Sequence, residues 1–249
     1  MLEFTDHERI REIRLSRPPA NALDPKLVKT LIDAFGKASN ECDAVVLSGQ
    51  PGMFSGGLDV VTLIELDRPA MLGFWSDFFE VNRVIAASPV PIIAAITGHS
   101  PAGGAVMAMF CDYRVMSEGD YRIGLNEVAV GLPVPPTIVE ALGRQIGSRL
   151  AERLIVRGAL LGPADALTAG LVDRVVAQDE VIDHALREAN KLTALPRAAM
   201  SITRGFARRD LVAVFDTVDA KTVEQITDYW FSEETQKTMH ALVARLAGK

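Results

Sequence analysis

"IIAAITGHSPAGGAVMAMFCDYRVM", residues 92–116, packs three apolar runs into one short stretch. Ile92–Ile96 is a continuous apolar run flanked by proline and by Thr-Gly, which predicts a buried strand. "TGHSPAGG" reads as a glycine-rich loop, and "GAVMAMF" (104–110) as a short, almost wholly apolar helix. "YRVM" (113–116) reads as a strand again. Strand, helix, strand in that order, with no tight hairpin between the strands, calls for parallel pairing.

The same alternation extends on both sides. Ile13 and Leu15 alternate with charged neighbours over 10–16, a half-buried strand. "RPPANALDP" (17–25) is a turn-rich loop whose last two residues, Asp24 and Pro25, read as a cap and a first-turn proline. Leu27, Val28, Leu31, Ile32 and Phe35 follow at helical spacing. "AVVLSG" (44–49) is a buried strand, and "QPGMFSGGLDV" (50–60) a glycine-rich loop. Residues 70–87 form an amphipathic helix carrying Phe74, Trp75, Phe78 and Phe79. "SPVP" stops it, because proline cannot continue a helix and restrains the residue before it.

Beyond Pro135–Pro136 the pattern is helical to about 157. A short helix runs from Pro163 to Thr168, Gly170 ends it, and "LVDRVV" (171–176) reads as a strand. From about 180 the chain is helical throughout, with a stripe at Met239, Leu242, Val243 and Leu246. Such a tail cannot bury its own stripe, so it must lie on the core or on another subunit. The fold class is α/β with largely parallel strands.

Composition narrows the functions. The chain has 249 residues, 49% hydrophobic and 23% charged, with a net charge of −6. That is a globular composition, and its acidity argues against nucleic acid as a partner. "TRGFARRD" (203–210) is its only dense basic cluster. Cys42 and Cys111 form no CxxC pair and read as reduced, buried thiols. Four histidines are present and none stands at metal-ligand spacing, so no metal is expected. No stretch has the length of a membrane span, and the charged first residues lack a signal-peptide core. The expected compartment is the cytoplasm.

Two glycine clusters, "FSGGLDV" (54–60) and "PAGGAV" (101–106), each join a short strand to a helix. Taken alone, each is a tight turn that allows close packing. Taken together, two helix starts facing each other could aim two backbone N–H groups at one oxygen. Such an oxyanion hole is worth about 10²–10³ in rate per donor. "GHSPA" (98–102) also resembles the GxSxG elbow of serine hydrolases. There, however, the residue after the serine must donate its N–H, and Pro101 has none. Ser100 is read as a loop hydroxyl satisfied by nearby backbone. Glu127, inside "GLNEVAVG" (124–131), is an isolated carboxylate among glycine and aliphatic residues; by spacing alone it reads as solvated.

"FSGGLDV", "TGHSPAGGAVMAMFCDYRV" and "YRIGLNEVAVGLPVP", in that order, resemble the crotonase superfamily, the enoyl-CoA hydratase/isomerase family. The match runs from "RLSRPPANAL" (14–23) through "ALTAGLVDRVV" (166–176). Within the family, "PAGG", "CDYR", "IGLNE" and "AERL" are most like the monofunctional Δ3,Δ2-enoyl-CoA isomerases of the mitochondrial type. The resemblance implies a spiral of ββα repeats with an acyl-CoA site over 1–190. It also implies a C-terminal helical oligomerisation region over 191–249, making a homotrimer or a dimer of trimers.

It further implies that coenzyme A enters only as part of the substrate, so no separate cofactor is expected. By motif position the thioester oxygen falls to the N–H groups of Leu58 and Gly103. The loop Gly56, Gly57, Leu58, Asp59 and Val60 lies along the substrate, with Asn126 as a positioning neighbour. Hydratases of the family carry two catalytic glutamates. Here the first place holds Val106 and the second holds Glu127. A single carboxylate suffices to take a proton from C2 and return it at C4, so the implied activity is isomerisation of a 3-enoyl-CoA to a trans-2-enoyl-CoA, a step of fatty acid β-oxidation. The apolar wall around Glu127, Val106 included, would make it a stronger base.

Alternatives stay open at this point: an enoyl-CoA hydratase, an acyl-CoA thioester hydrolase, or a non-catalytic acyl-CoA-binding scaffold. Asp59 is expected to cap the helix that follows it. The stripe at Phe74–Phe79 is read as core, with an acyl-tunnel lining as the other reading. Arg204, Arg208 and Arg209 read as a solvated helix face, with CoA phosphates as the other reading.

Overall fold

Residues 1–247 are described by the computed structural model. Its first element, β1 (Leu2–His7), pairs antiparallel with β2 (Ile10–Leu15). β1 left no mark in the pattern because both of its faces are largely exposed and charged. Parallel to β2 lie β3 (Ala44–Ser48), β5 (Ile92–Ile96), β7 (Tyr113–Ser117) and β9 (Arg174–Val176), giving a six-stranded sheet in the order β1-β2-β3-β5-β7-β9. The entirely buried β3 and β5 explain the unbroken apolar runs.

A second, three-stranded sheet stacks β4 (Gly52–Met53), β6 (Gly98–Pro101) and β8 (Ile123–Gly124), again in parallel. The glycine-rich stretches expected to be loops therefore contain strands too short to show an alternation. Gly98 is obligatory there: a Cβ would fall 2.0 Å from the Gly52 carbonyl carbon.

The turns β3–β4, β5–β6 and β7–β8 each lay one strand in each sheet and return through helix. After β2 comes α1 (Pro25–Glu41); after β3–β4, α2 (Val60–Leu63) and α3 (Arg68–Ala87); after β5–β6, α4 (Gly103–Met109). After β7–β8 come a 3₁₀ turn (Glu127–Val130), α5 (Pro136–Ile146), α6 (Ser148–Ile155) and α7 (Pro163–Ala169). This is the crotonase-like spiral of ββα repeats.

Caps set the helix starts. Asp24 accepts from the Leu27 N–H at 2.7 Å and Asp67 from Ala70 at 2.9 Å, so α3 begins two residues before the expected start at 70. The helical pattern expected to reach 157 is cut into α5 and α6 at Gly147, whose φ is +84°. Of "LVDRVV" only Arg174–Val176 is strand; Leu171 and Val172 are buried in the turn that Gly170 opens.

Phe74, Trp75 and Phe78 sit in the core. Trp75 meets Trp230 of α11 (Ala220–Trp230) edge-on, with centroids 6.4 Å apart. α8 (Val181–Thr193) covers the other face of the large sheet, setting Val181, Ala185 and Ala189 against Val46, Ile93 and Val115. α9 (Arg197–Ala207) and α10 (Arg209–Ala213) follow, and α12 (Glu233–Ala247) returns over α2 and the 3₁₀ turn. Among the described residues no helix is long and apolar enough to cross a membrane. Cys42 and Cys111 are free and buried.

Candidate active site

The two glycine clusters touch through bare backbone. Gly57, at φ +85°, would place a Cβ 3.0 Å from the Ala102 Cβ and 3.3 Å from the Gly103 nitrogen. The first loop is laced to the segment 20–23: Gly56 N–H donates to the Ala20 carbonyl at 2.7 Å, and Leu23 N–H to the Gly57 carbonyl at 2.7 Å. Asp59 N–H donates in turn to the Leu23 carbonyl at 3.0 Å, completing a parallel bridge between Leu23 and Leu58.

In a parallel bridge the central residue of the donor–acceptor pair turns its own N–H away from the partner, so the Leu58 amide faces the opposite side. Among the described residues it makes no hydrogen bond. The second loop enters α4 through Ala102, a non-glycine residue at φ +47°, anchored by its N–H to the Gly124 carbonyl at 2.8 Å. Gly103 is the first residue of α4, where an N–H has no intrahelical acceptor. Its amide too is without a hydrogen bond among the described residues.

Glu127 opens the 3₁₀ turn that Gly131 closes in the left-handed conformation. It is 7% exposed, and its Oε2 is buried without a hydrogen-bond partner among the described residues. Burial pushes its carboxyl up to about 7, because a charge there has given up its water. The carboxylate that composition alone would leave in solvent is thus buried, with a raised proton affinity.

A cavity of about 740 Å³ joins these parts. Gly56, Leu58, Asp59, Val60, Asn126 and Glu127 all line it, as does Ala102 beside Gly103, whereas Gly57 and Gly103 are not themselves lining residues. Val130 and Leu132 provide apolar wall near Glu127, and α12 adds Met239, Leu242, Val243 and Leu246. Val106 is buried in the core on α4 and is not among the residues lining the cavity.

Asp59 caps α2, accepting from Thr62 N–H at 3.1 Å, as expected, and also pairs with Arg17 at 2.5 Å. Neither Arg17 nor the α12 stripe was singled out for the site from sequence. The stripe was visible as an apolar face seeking cover; what it covers was not.

Other readings are corrected. Ser100 lies on β6, and its Oγ is fully buried with no partner among the described residues, not a backbone-satisfied loop hydroxyl. The adjacent His99 faces away from it, accepting from the Arg122 N–H at 3.2 Å, which leaves no nucleophile–base pair. Phe74, Trp75, Phe78 and Phe79 do not line the cavity. Arg204 and Arg208 are not a solvated face. Arg204 grips Asp112 at 2.6 and 2.8 Å, and Arg208 donates to the Phe110 carbonyl from a buried position. Arg209 lies over the Phe206 ring, 5.7 Å from its centroid.

The chain matches the family model for enoyl-CoA hydratase/isomerase over residues 5–247. It is 30% identical over 238 residues to human "enoyl-CoA delta isomerase 1, mitochondrial", covering 94% of this chain and 79% of that protein. It is 33% identical over 232 residues to a "probable enoyl-CoA hydratase" of Rhizobium meliloti, covering 86% of this chain and 89% of the relative. The crystal structure of human mitochondrial delta3-delta2-enoyl-CoA isomerase superimposes with a TM-score of 0.95 at 28% identity, over 99% of this chain and 98% of the other. The opposed glycine loops, the spiral that holds them and the buried glutamate therefore sit in a chain that belongs to the enoyl-CoA hydratase/isomerase family.

Proposed function

We propose that the protein is an enoyl-CoA isomerase that shifts the double bond of a 3-enoyl-CoA to give the trans-2-enoyl-CoA. One observation carries this reading. Of the two carboxylates lining the cavity, Asp59 is engaged by Arg17 and by the helix it caps, whereas the Glu127 Oε2 is free. One available acid–base group suits a reaction that moves one proton between two carbons. Hydration needs a water to be held and activated as well as a proton to be delivered.

In the proposed reaction the thioester oxygen accepts from the Leu58 and Gly103 amides. The Glu127 carboxylate removes a C2 proton, and the C2–H electron pair passes into the dienolate. Charge gathers on the thioester oxygen, where those amides stabilise it most. The protonated Glu127 then delivers the same proton to C4; the C3–C4 double bond becomes C2–C3, and the carboxylate is restored. A raised proton affinity makes Glu127 a competent base near neutrality. Gly56, Asp59, Val60 and Asn126 border the substrate, and the apolar residues of α12 hold the acyl chain.

The residues from 191 onward are proposed to assemble a homotrimer or a pair of trimers; the exposed Ile202 and Phe206 on α9 support a contact there. The deciding test incubates the protein with 3-enoyl-CoA, 2-enoyl-CoA and saturated acyl-CoA and identifies products by mass and absorbance. A double-bond shift at constant mass supports the isomerase. Gain of one water from 2-enoyl-CoA, or release of free CoA, replaces it with the hydratase or the thioester hydrolase.

A further inference from the structure

We infer that Arg17 is a positioning residue that sets the orientation of the Leu58 amide, a role that rests on the isomerase reading above. The Arg17 guanidinium makes three contacts from the loop before α1. Nη1 donates to the Ala22 carbonyl at 3.0 Å, and Nη2 pairs with Asp59 at 2.5 Å and with Asp24 at 3.1 Å.

Those carboxylates are not arbitrary. Asp24 caps α1 and Asp59 caps α2. Leu23, next to Asp24, forms the bridge with Leu58, next to Asp59. Arg17 therefore ties together the two residues that flank the bridge on its two strands. The Leu58 N–H, with no hydrogen bond of its own among the described residues, takes its orientation from this bridge. The planar guanidinium reaches several acceptors at once, which a lysine ammonium cannot do in the same geometry.

Arg17 also lines the cavity, and an arginine there invites assignment to a CoA phosphate. Charge argues otherwise. Two carboxylates contact one guanidinium, so the cluster carries net negative charge and repels an anion.

The test compares wild type with Arg17→Ala, Arg17→Lys and Asp59→Asn. Asparagine still caps α2 but cannot complete the ion pair. Arg17→Ala is expected to lower kcat on 3-enoyl-CoA about 10–100-fold, less than outright removal of an oxyanion donor. KM should stay within about threefold, because ground-state binding is not what the amide orientation governs. Arg17→Lys should recover only part of kcat, and Asp59→Asn should show the same split of kcat from KM. A second readout is the ultraviolet band of the enolate of a bound 3-oxoacyl-CoA at fixed pH, which should weaken in each variant.

A raised KM with unchanged kcat would make Arg17 a substrate ligand and overturn the proposal. A lowered melting temperature with kcat and the enolate band intact would make it a structural tie and overturn it equally. Should Arg17→Ala not fold, Asp59→Asn decides by the same criteria. Wild type that neither turns over 3-enoyl-CoA nor stabilises the enolate defeats this proposal and the isomerase reading together. Wild type that stabilises the enolate without turnover, and loses the band in Arg17→Ala, defeats the isomerase reading alone.

Discussion

Gly57 and Gly103 approach so closely that a methyl group on Gly57 would stand 3.3 Å from the Gly103 nitrogen. Contact between main chains at that range brings the two loops together, and it leaves no room for a side chain. Gly57 also sits at φ +85°, where a residue with a Cβ is strained by about 1–2 kcal/mol. Gly57→Ala is therefore expected to lose stability by about that amount and to lose at least about 100-fold in isomerase kcat, since both amides shift together. Steady-state kinetics and a thermal melt check it; full turnover would mean that the contact between the loops is incidental to catalysis.

The Glu127 carboxyl makes two expectations, one for rate and one for stability. Glu127→Gln keeps the shape and removes the base, so kcat should fall by about 10²–10⁴, with acyl-CoA binding retained. In wild type, kcat/KM should rise with pH and level off above about 7 as Glu127 ionises. For stability, the unfolded carboxyl ionises near 4.5, whereas the folded one keeps its proton to about 7. Between those values the folded state binds more protons, so its stability declines as pH rises through that window. This group adds no slope below or above it. The full decline is about 3 kcal/mol. Glu127→Gln should lack this decline. Denaturant midpoints at pH 5 and pH 8 compare the two, and parallel behaviour of both proteins would place the carboxyl in water.

Much of this arrangement was legible in sequence. Periodicity disclosed β3, β5 and α3 because each buries a run of apolar residues. Asp24 and Pro25 marked the start of α1 by cap chemistry. The small second sheet was hidden, because Gly52–Met53 and Ile123–Gly124 are two-residue strands, too short to show an alternation, and their glycines read as loop. Glu127 could be placed only through the motif around it, since its own stretch does not show that α12 packs on its turn from more than 100 residues away. The Arg204–Asp112 pair was missed for the same reason: Asp112 looks like any surface acid until α9 brings the guanidinium to it.

α12 should govern both the fit of the acyl chain and the seating of the Glu127 turn. Thr235, buried at its start, donates from Oγ1 to the Gly131 carbonyl at 2.5 Å. Met239, one turn on, is buried and lines the cavity. Met239→Ala is expected to lower stability by about 2–5 kcal/mol, less where the wall can collapse. It should also raise kcat/KM for longer or branched acyl chains relative to short ones, since it enlarges the apolar wall. A chain-length series of 3-enoyl-CoA substrates reads this directly. An unchanged preference with lowered stability would confine Met239 to the core.

Arg204 and Arg208 offer a contrast between a basic cluster that binds a ligand and one that holds the fold. Arg204 donates two hydrogen bonds to Asp112, and Arg208 adds a contact at 3.2 Å to the same carboxylate. Asp112 in turn accepts from the Ile92 N–H at 2.8 Å, at the start of β5. The cluster therefore fastens α9 to the edge of the strand that leads into the second glycine loop. Removing one cation leaves the part-buried Asp112 with half its compensation, a loss of about 2 kcal/mol. Arg204→Ala is accordingly expected to lower the melting temperature clearly while leaving KM for acyl-CoA unchanged in whatever protein remains folded. Arg204→Lys should recover only part of the stability, since a single ammonium cannot reproduce the forked contact with Asp112. A raised KM at unchanged stability would instead return these arginines to the CoA phosphates.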